Sequence, residues 1–190
     1  KKLDDTITDN LKKGPTLEYY FHYNQVNREL SEMSAMIHAD LKRNNIHSFP
    51  VIPTISIGSE HYKRYLKTLT YDISHKLVAT RAGLGWIGKT DLLISFKFGP
   101  RLRLTTILLE QNPGCREVPV EESYCGDCNL CVLKCPAQAA NGLLWNTGVH
   151  RDLFFDACKC REKCGELAKK MLNVDERICG LCVSVCPKGK

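Results

Sequence analysis

The chain has 190 residues, 43% of them apolar and 25% charged, which excludes collagen-like, coiled-coil and wholly disordered classes. Its formal net charge of +6 divides into +5 over residues 1–114 (16 Lys and Arg against 11 Asp and Glu) and +1 over the rest (11 against 10), too weak a bias to argue by itself for nucleic acid. No apolar run approaches the roughly 18 residues that span a bilayer, and no signal peptide opens the chain, so a cytoplasmic protein with no membrane partner is expected.

Because the chain opens on Lys1 with a helix-like reading almost at once, an upstream piece of the protein is expected. Gly14-Pro15-Thr16 reads as a breaker and helix start. A short helix-like stretch over 17–23 and a stronger one over 24–44 follow. In the latter Val26, Leu30, Met33, Ile37 and Leu41 recur at three and four residues, leaving Arg28, Glu32, Asp40 and Lys42 to water. Residues 49–53 read as a short extended piece at an edge, since Pro50 and Pro53 cannot donate to a ladder. A short helix over 60–69 precedes one over 75–82, with Asp72 and Ser74 as N-cap candidates and Gly83 at C′. Residues 92–95 and 102–109 read as two strands of a hairpin turning at Gly99-Pro100. Arg101 and Arg103 alternate with Leu102 and Leu104 there, the pattern of a solvated strand face. Beyond residue 114 the chain changes character, with cysteines at fixed spacing and one amphipathic helix over 162–172. The domains expected are thus 1–114 and 115–190.

The eleven cysteines are the number out of line, and ten of them lie between Cys125 and Cys186. A secreted disulfide scaffold would spread them over the chain, so metal ligation is favoured. Cys125-x2-Cys128-x2-Cys131-x3-Cys135-Pro136 is echoed by Cys179-x2-Cys182-x3-Cys186-Pro187. In this pattern three thiolates wrap one 4Fe-4S cubane while the cysteine before proline serves the neighbouring one. The spacing predicts crossed ligation: Cys125, Cys128, Cys131 and Cys186 on one cluster, and Cys135, Cys179, Cys182 and one of Cys158, Cys160 or Cys164 on the other. Two such clusters would lower the charge of the loaded protein to roughly +2. Zinc is the alternative ligand, but it needs neither the third cysteine nor the cysteine before proline.

Gly83-Leu84-Gly85-Trp86-Ile87-Gly88-Lys89-Thr90 matches both G-x-G-x-x-G and G-x4-G-K-[ST]. Both phosphate loops need a strand before and a helix after, whereas here a helix precedes and a strand follows. A structural role for the glycines is the bland alternative. His75 and Lys76, at the start of the preceding helix, are candidate ligand-facing residues, with Tyr71 and Asp72 as weak candidate proton donors. The aromatic run Tyr19, Tyr20, Phe21 and Tyr23 reads as core or rim rather than as a stacking platform.

His75-Lys76, the segment from Arg81 to Lys89, and the double cysteine module in that order resemble the epoxyqueuosine reductase family, with more distant similarity to corrinoid reductive dehalogenases. The resemblance implies an α+β chain: a partial nitroreductase-like domain that binds cobalamin, then a ferredoxin-like double 4Fe-4S domain. It makes His75, Lys76, Gly83, Leu84, Gly85, Trp86, Gly88 and Lys89 candidate cofactor-binding residues. It further implies clusters reducing a base-off cobalamin, fed by an external donor of flavodoxin or ferredoxin type. The family's short Asp-Ala-x-x-Cys segment, matched by Asp156-Ala157-Cys158-Lys159-Cys160, implies Cys160 as the eighth ligand, leaving Cys115, Cys158 and Cys164 spare. Members acting on tRNA carry an acid where this chain reads Phe49-Pro50-Val51-Ile52-Pro53-Thr54, and continue into helical repeats beyond the clusters, so neither charge nor length supports tRNA here. The alternatives are a flavin in place of the corrin, and an electron carrier or reductive activator with no substrate of its own.

Overall fold

A computed structural model describes residues 1–55, 58–114 and 118–189. Cys115 and part of the 49–69 region fall outside them. A short helix α1 (Asp5–Asp9) is capped by the Asp4 carboxylate, and α2 (Leu17–Arg43) by the Thr16 hydroxyl, which accepts from the Tyr19 amide at 3.1 Å. The two stretches read separately over 17–44 are one helix. Val26 and Leu30 of its apolar stripe are buried, but Met33 and Ile37 stay 46% and 42% exposed. The strands beside this helix, β1 (Ser48–Val51) and β4 (Thr106–Leu109), form a sheet of only two strands and cover just part of that face.

Helices α3 (Glu60–Thr68) and α4 (His75–Arg81) follow, the latter capped by Ser74, whose hydroxyl accepts from the Leu77 amide. Gly83, at φ +67, lets the Gly83 and Leu84 amides return to the Thr80 and Ala79 carbonyls, as the C′ reading requires. The expected hairpin between 92–95 and 102–109 is not formed. Instead β3 (Leu93–Ser95) pairs antiparallel with β2 (Gly85–Ile87), and β4 with β1. The turn at Gly99-Pro100 does form, with Ser95 and Gly99 exchanging both backbone bonds at 2.9 Å. It sends the chain away from β3 because Arg101, fully buried, is drawn to the C-terminal segment.

Two one-turn helices, α5 (Leu130–Leu133) and α7 (Leu181–Ser184), sit inside the two cysteine runs and pack on each other. Between them α6 (Ala157–Leu172) starts five residues earlier than the periodicity suggests, because Asp156 caps it by accepting from the Lys159 amide at 2.9 Å. The result is a mixed α and β chain. Among the described residues, most of the buried apolar side chains fall into three clusters, and each joins residues from both sides of the expected 114/115 boundary. Leu3, Leu11, Tyr19, Val26 and Leu30 pack with Ala168 and Ile178; Ile87 with Ala139, Ala140, Trp145, Phe154 and Phe155; Trp86 and Ile94 with Val120.

Candidate functional site: two thiol groups and a cleft

The glycine-rich segment is a wedge between two groups of cysteines. Successive side chains of a strand point to opposite faces, so β2 presents Trp86 to one side and Ile87 to the other. Trp86 packs in the cluster flanked by Cys125 and Cys186, while Ile87 packs in the one flanked by Cys135 and Cys160. The glycines serve this placement. A Cβ on Gly85 would lie 2.1 Å from the Ile94 carbonyl oxygen, so only glycine lets β2 approach β3. This is the structural reading of the motif, and it explains why a helix can precede it.

On the Trp86 side, Cys125, Cys128, Cys131 and Cys186 lie within electrostatic reach of one another. Burial pushes the Cys131 and Cys186 thiols up, and the neighbouring sulfurs push them further. The Trp86 indole N–H donates to Cys125 Sγ at 3.3 Å, with Phe96 and Tyr124 closing around the ring at 5.3 and 5.4 Å between centroids. Lys89, 3% exposed, donates to Asn129 Oδ1 at 2.8 Å inside the first cysteine run. On the other side, Cys182 is pushed up by burial and by Cys179 and Cys160. Cys179 is lowered to about 7 by its hydrogen bond with Cys164. Cys164 itself lies 3.9 Å, sulfur to sulfur, from Cys160. Cys158 is exposed. Among the described residues no three His, Cys, Asp or Glu side chains are arranged to hold a single metal ion.

A cleft of about 850 Å³ adjoins the second group, with Cys160 and Cys164 in its wall. Its apolar lining includes Ile87, Trp145, Phe154 and Phe155. Lys76, Arg81, Arg151, Arg161 and Arg177 bring positive charge, and Asp91 is the one carboxylate among the described lining residues. Lys76 Nζ donates to both the Asp91 carboxylate and its carbonyl at 2.6 Å. Arg151 caps the end of α3 by donating to the Thr68 and Leu69 carbonyls.

His75, Lys76 and Tyr71 line this cleft; Asp72 does not, being paired with Arg64. Gly83, Leu84, Gly85, Trp86, Gly88 and Lys89 are not in the cleft lining either, and the side chains of Trp86 and Lys89 turn to the cysteines. Arg101 and Arg103 correct the solvated-face expectation. Arg101 is fully buried, and Arg103 donates to Asn27 and stacks 4.2 Å over the Tyr23 ring. The alternation misled because residues 101–103 form no ladder, only an isolated bridge from Leu102 to Lys2. Arg101, read as solvated, and Cys164, a candidate ligand left spare once the resemblance pointed to Cys160, are both neighbours of the site; for Cys164 the signal is its four-residue spacing from Cys160 on one helix.

His75 is held at both ring nitrogens. Nε2 donates to the Ile52 carbonyl and Nδ1 accepts from the Thr106 hydroxyl, each at 2.8 Å. Burial lowers its pKa below the ordinary 6.5, against the pull of the Ile52 carbonyl. The unfolded chain therefore takes up this proton at a higher pH than the folded one. The stabilisation is complete above pH 6.5 and is lost as pH falls through the depressed value. The urea midpoint of the wild type should fall between pH 7 and pH 5 by more than that of His75→Gln; equal slopes would refute this assignment.

Taken together, a mixed α/β scaffold with cysteines gathered on both sides of a strand, next to a cationic cleft, defines the class. No family model matches the chain. Curated epoxyqueuosine reductases do: that of Cyclobacterium marinum is 29% identical over 139 residues, 69% of this chain and 41% of its own length. Those of Atelocyanobacterium thalassa and Bacillus anthracis are 30% and 31% identical, over 67% and 64% of this chain. Two solved epoxyqueuosine reductases share the fold: from Bacillus subtilis, with a TM-score of 0.55 and 21% identity over 86% of this chain, and from Streptococcus thermophilus, with 0.51 and 20% over 90%. The chain spans 31–42% of the length of these curated relatives and 38–40% of the solved chains. In sequence and in fold the chain is similar to epoxyqueuosine reductases. Among the described residues no helix is long and apolar enough to cross a membrane.

Proposed function

We propose that this chain is the electron-transfer and cofactor-holding part of a reductase, carrying two 4Fe-4S clusters beside a cobalamin cleft. The observation that carries the reading is the gathering of cysteines into two groups on opposite faces of β2, with the second group opening into the cleft. The donor set fits iron-sulfur clusters. All the candidate ligands are sulfur, most are partly buried, and thiolate is the donor a 4Fe-4S cubane takes. Cys125, Cys128, Cys131 and Cys186 would hold one cluster, and Cys135, Cys160, Cys179 and Cys182 the other, in a ferredoxin-like arrangement. The cleft suits a large, partly apolar ligand with polar edges, being near the upper end of ordinary ligand pockets. His75, with both nitrogens engaged, is not free to ligate cobalt, which supports a base-off reading. When bound, the clusters supply single-electron transfer and the corrin supplies the reducing centre.

The chain's own residues bind, shield and tune. The Lys89 ammonium offsets the negative charge of thiolate-ligated iron, and Trp86 donates to a sulfur whose negative charge grows on reduction. That hydrogen bond favours the reduced form, so Trp86→Phe should lower the potential of the first cluster by about 40 mV, taking roughly 1 kcal/mol for the bond. Spectroelectrochemistry reads this directly, and an unchanged potential would exclude the tuning role. An external flavodoxin- or ferredoxin-type donor would supply the electrons.

The test is anaerobic titration of the reconstituted protein with hydroxocobalamin, followed by absorbance and by cobalt EPR after reduction. Stoichiometric binding is the expected result. Two reducible clusters without corrin binding would leave the second reading, an electron carrier without a substrate of its own. That reading is favoured by the absence of an acid in residues 49–54, a stretch that contributes Ile52, Pro53 and Thr54 to the cleft wall.

A further inference from the structure

We infer that Cys164 is an alternative ligand of the second cluster, able to take the place of Cys160. The inference rests on the reading of function above and names a residue outside the eight-ligand set.

Residues four apart on a helix lie on one face, one turn above the other. On α6 this stacks Cys164 over Cys160, with their sulfurs 3.9 Å apart. Cys179 is also an electrostatic neighbour of Cys164, so Cys164 stands beside two thiols assigned to the same cluster. It is not a surface thiol: it is partly buried, whereas Cys158, six residues before it on the same helix, is exposed. Both Cys160 and Cys164 reach the wall of the cleft. The group therefore offers five sulfurs, Cys135, Cys160, Cys164, Cys179 and Cys182, to a cubane that has four iron corners.

A single iron corner can then be held by either sulfur of the stacked pair. Exchange breaks the iron bond to Cys160 and forms one to Cys164. The Cys164 thiol gives up its proton as it binds, the released Cys160 thiolate takes one up, and no electron changes hands. Because both sulfurs belong to the cleft wall, the choice between them would alter the cluster's ligation next to the cleft.

The experiment is anaerobic reconstitution of the wild type, Cys160→Ala, Cys164→Ala, the double variant and Cys158→Ala, with iron and acid-labile sulfide counted and the reduced protein examined by EPR. The wild type should carry about eight irons, and Cys158→Ala should match it. Cys160→Ala and Cys164→Ala should each keep that content, the former with a shifted EPR signal. The double variant should lose about twofold, with the signal of the first cluster retained as the sign of a folded chain. Cys160→Ala decides the matter even where the double variant fails to fold. If it alone falls to about four irons while the wild type is full, the inference is overturned. A wild type that cannot carry two clusters overturns the proposed function and this inference together.

Discussion

Replacing Cys186 by alanine should abolish the cluster on Cys125, Cys128 and Cys131, more than 50 residues away in sequence, and leave the one nearer in sequence intact. The sulfur of Cys186 lies among the first group: it flanks the Trp86 cluster together with Cys125 and is within electrostatic reach of Cys125 and Cys128. Pro187 follows it directly and disfavours helical backbone at Cys186, so the short α7 ends before it. The mirror experiment is Cys135→Ala. Cys135 accepts from the Ala139 amide at 3.5 Å and flanks the Ile87 cluster together with Cys160, so its loss should empty the second group. Each variant should fall from about eight irons to about four, with the surviving EPR signal identifying the remaining cluster. Loss of only the cluster nearest in sequence would refute crossed ligation.

Arg101→Met should be the most damaging substitution outside the cysteines. The guanidinium is fully buried and donates to the carbonyls of Ser184, Cys186 and Lys188 at 3.1, 3.1 and 3.0 Å, with the Asp9 carboxylate 3.6 Å away. One side chain thus ties the turn after β3 to the end of α7 and to the cysteine that crosses between groups. Removing it leaves three carbonyls without this donor, that of Ser184 in a buried position, while the Asp9 carboxylate stays in contact with water. A loss of about 1–3 kcal/mol follows from leaving a buried carbonyl without its donor, a sizeable part of the 5–15 kcal/mol available to a domain. Urea unfolding of the cluster-free chain measures it, and iron content should fall with it because Cys186 loses its support. A change below about 1 kcal/mol would mean the pocket relaxes around methionine.

Local chemistry was legible in the sequence. The cap at Thr16, the C′ role of Gly83, the extended piece at Pro50 and the helix from His75 all follow from interactions within a few residues, and all are present. The repeated spacing of the cysteines likewise implied crossing between the runs before any coordinates. What the sequence misplaced depends on contacts between distant segments. Nothing in residues 92–109 tells that β3 will pair backward with β2 rather than forward with the next strand, since either pairing satisfies the same backbone groups. The alternation around Arg101 looks solvated because a period of two does not say which face meets water. Trp86 and Lys89 are expected to face a cofactor from the family resemblance, yet they turn to Cys125 and Asn129, contacts made across 39 and 40 residues of chain.

Sequence alone therefore determined the residue types and the short-range geometry: sulfur at fixed intervals, glycine after a helix end at Gly83, and caps at Thr16 and Ser74. Tertiary structure alone decided which sulfurs share a face of β2, that Arg101 is buried, and that Cys164 joins Cys160 at the cleft. The physical reason is range. Hydrogen-bonded turns and caps are fixed by neighbours in the chain, whereas burial and the grouping of side chains are fixed by packing among segments up to about 180 residues apart, as between Leu11 and Ser184.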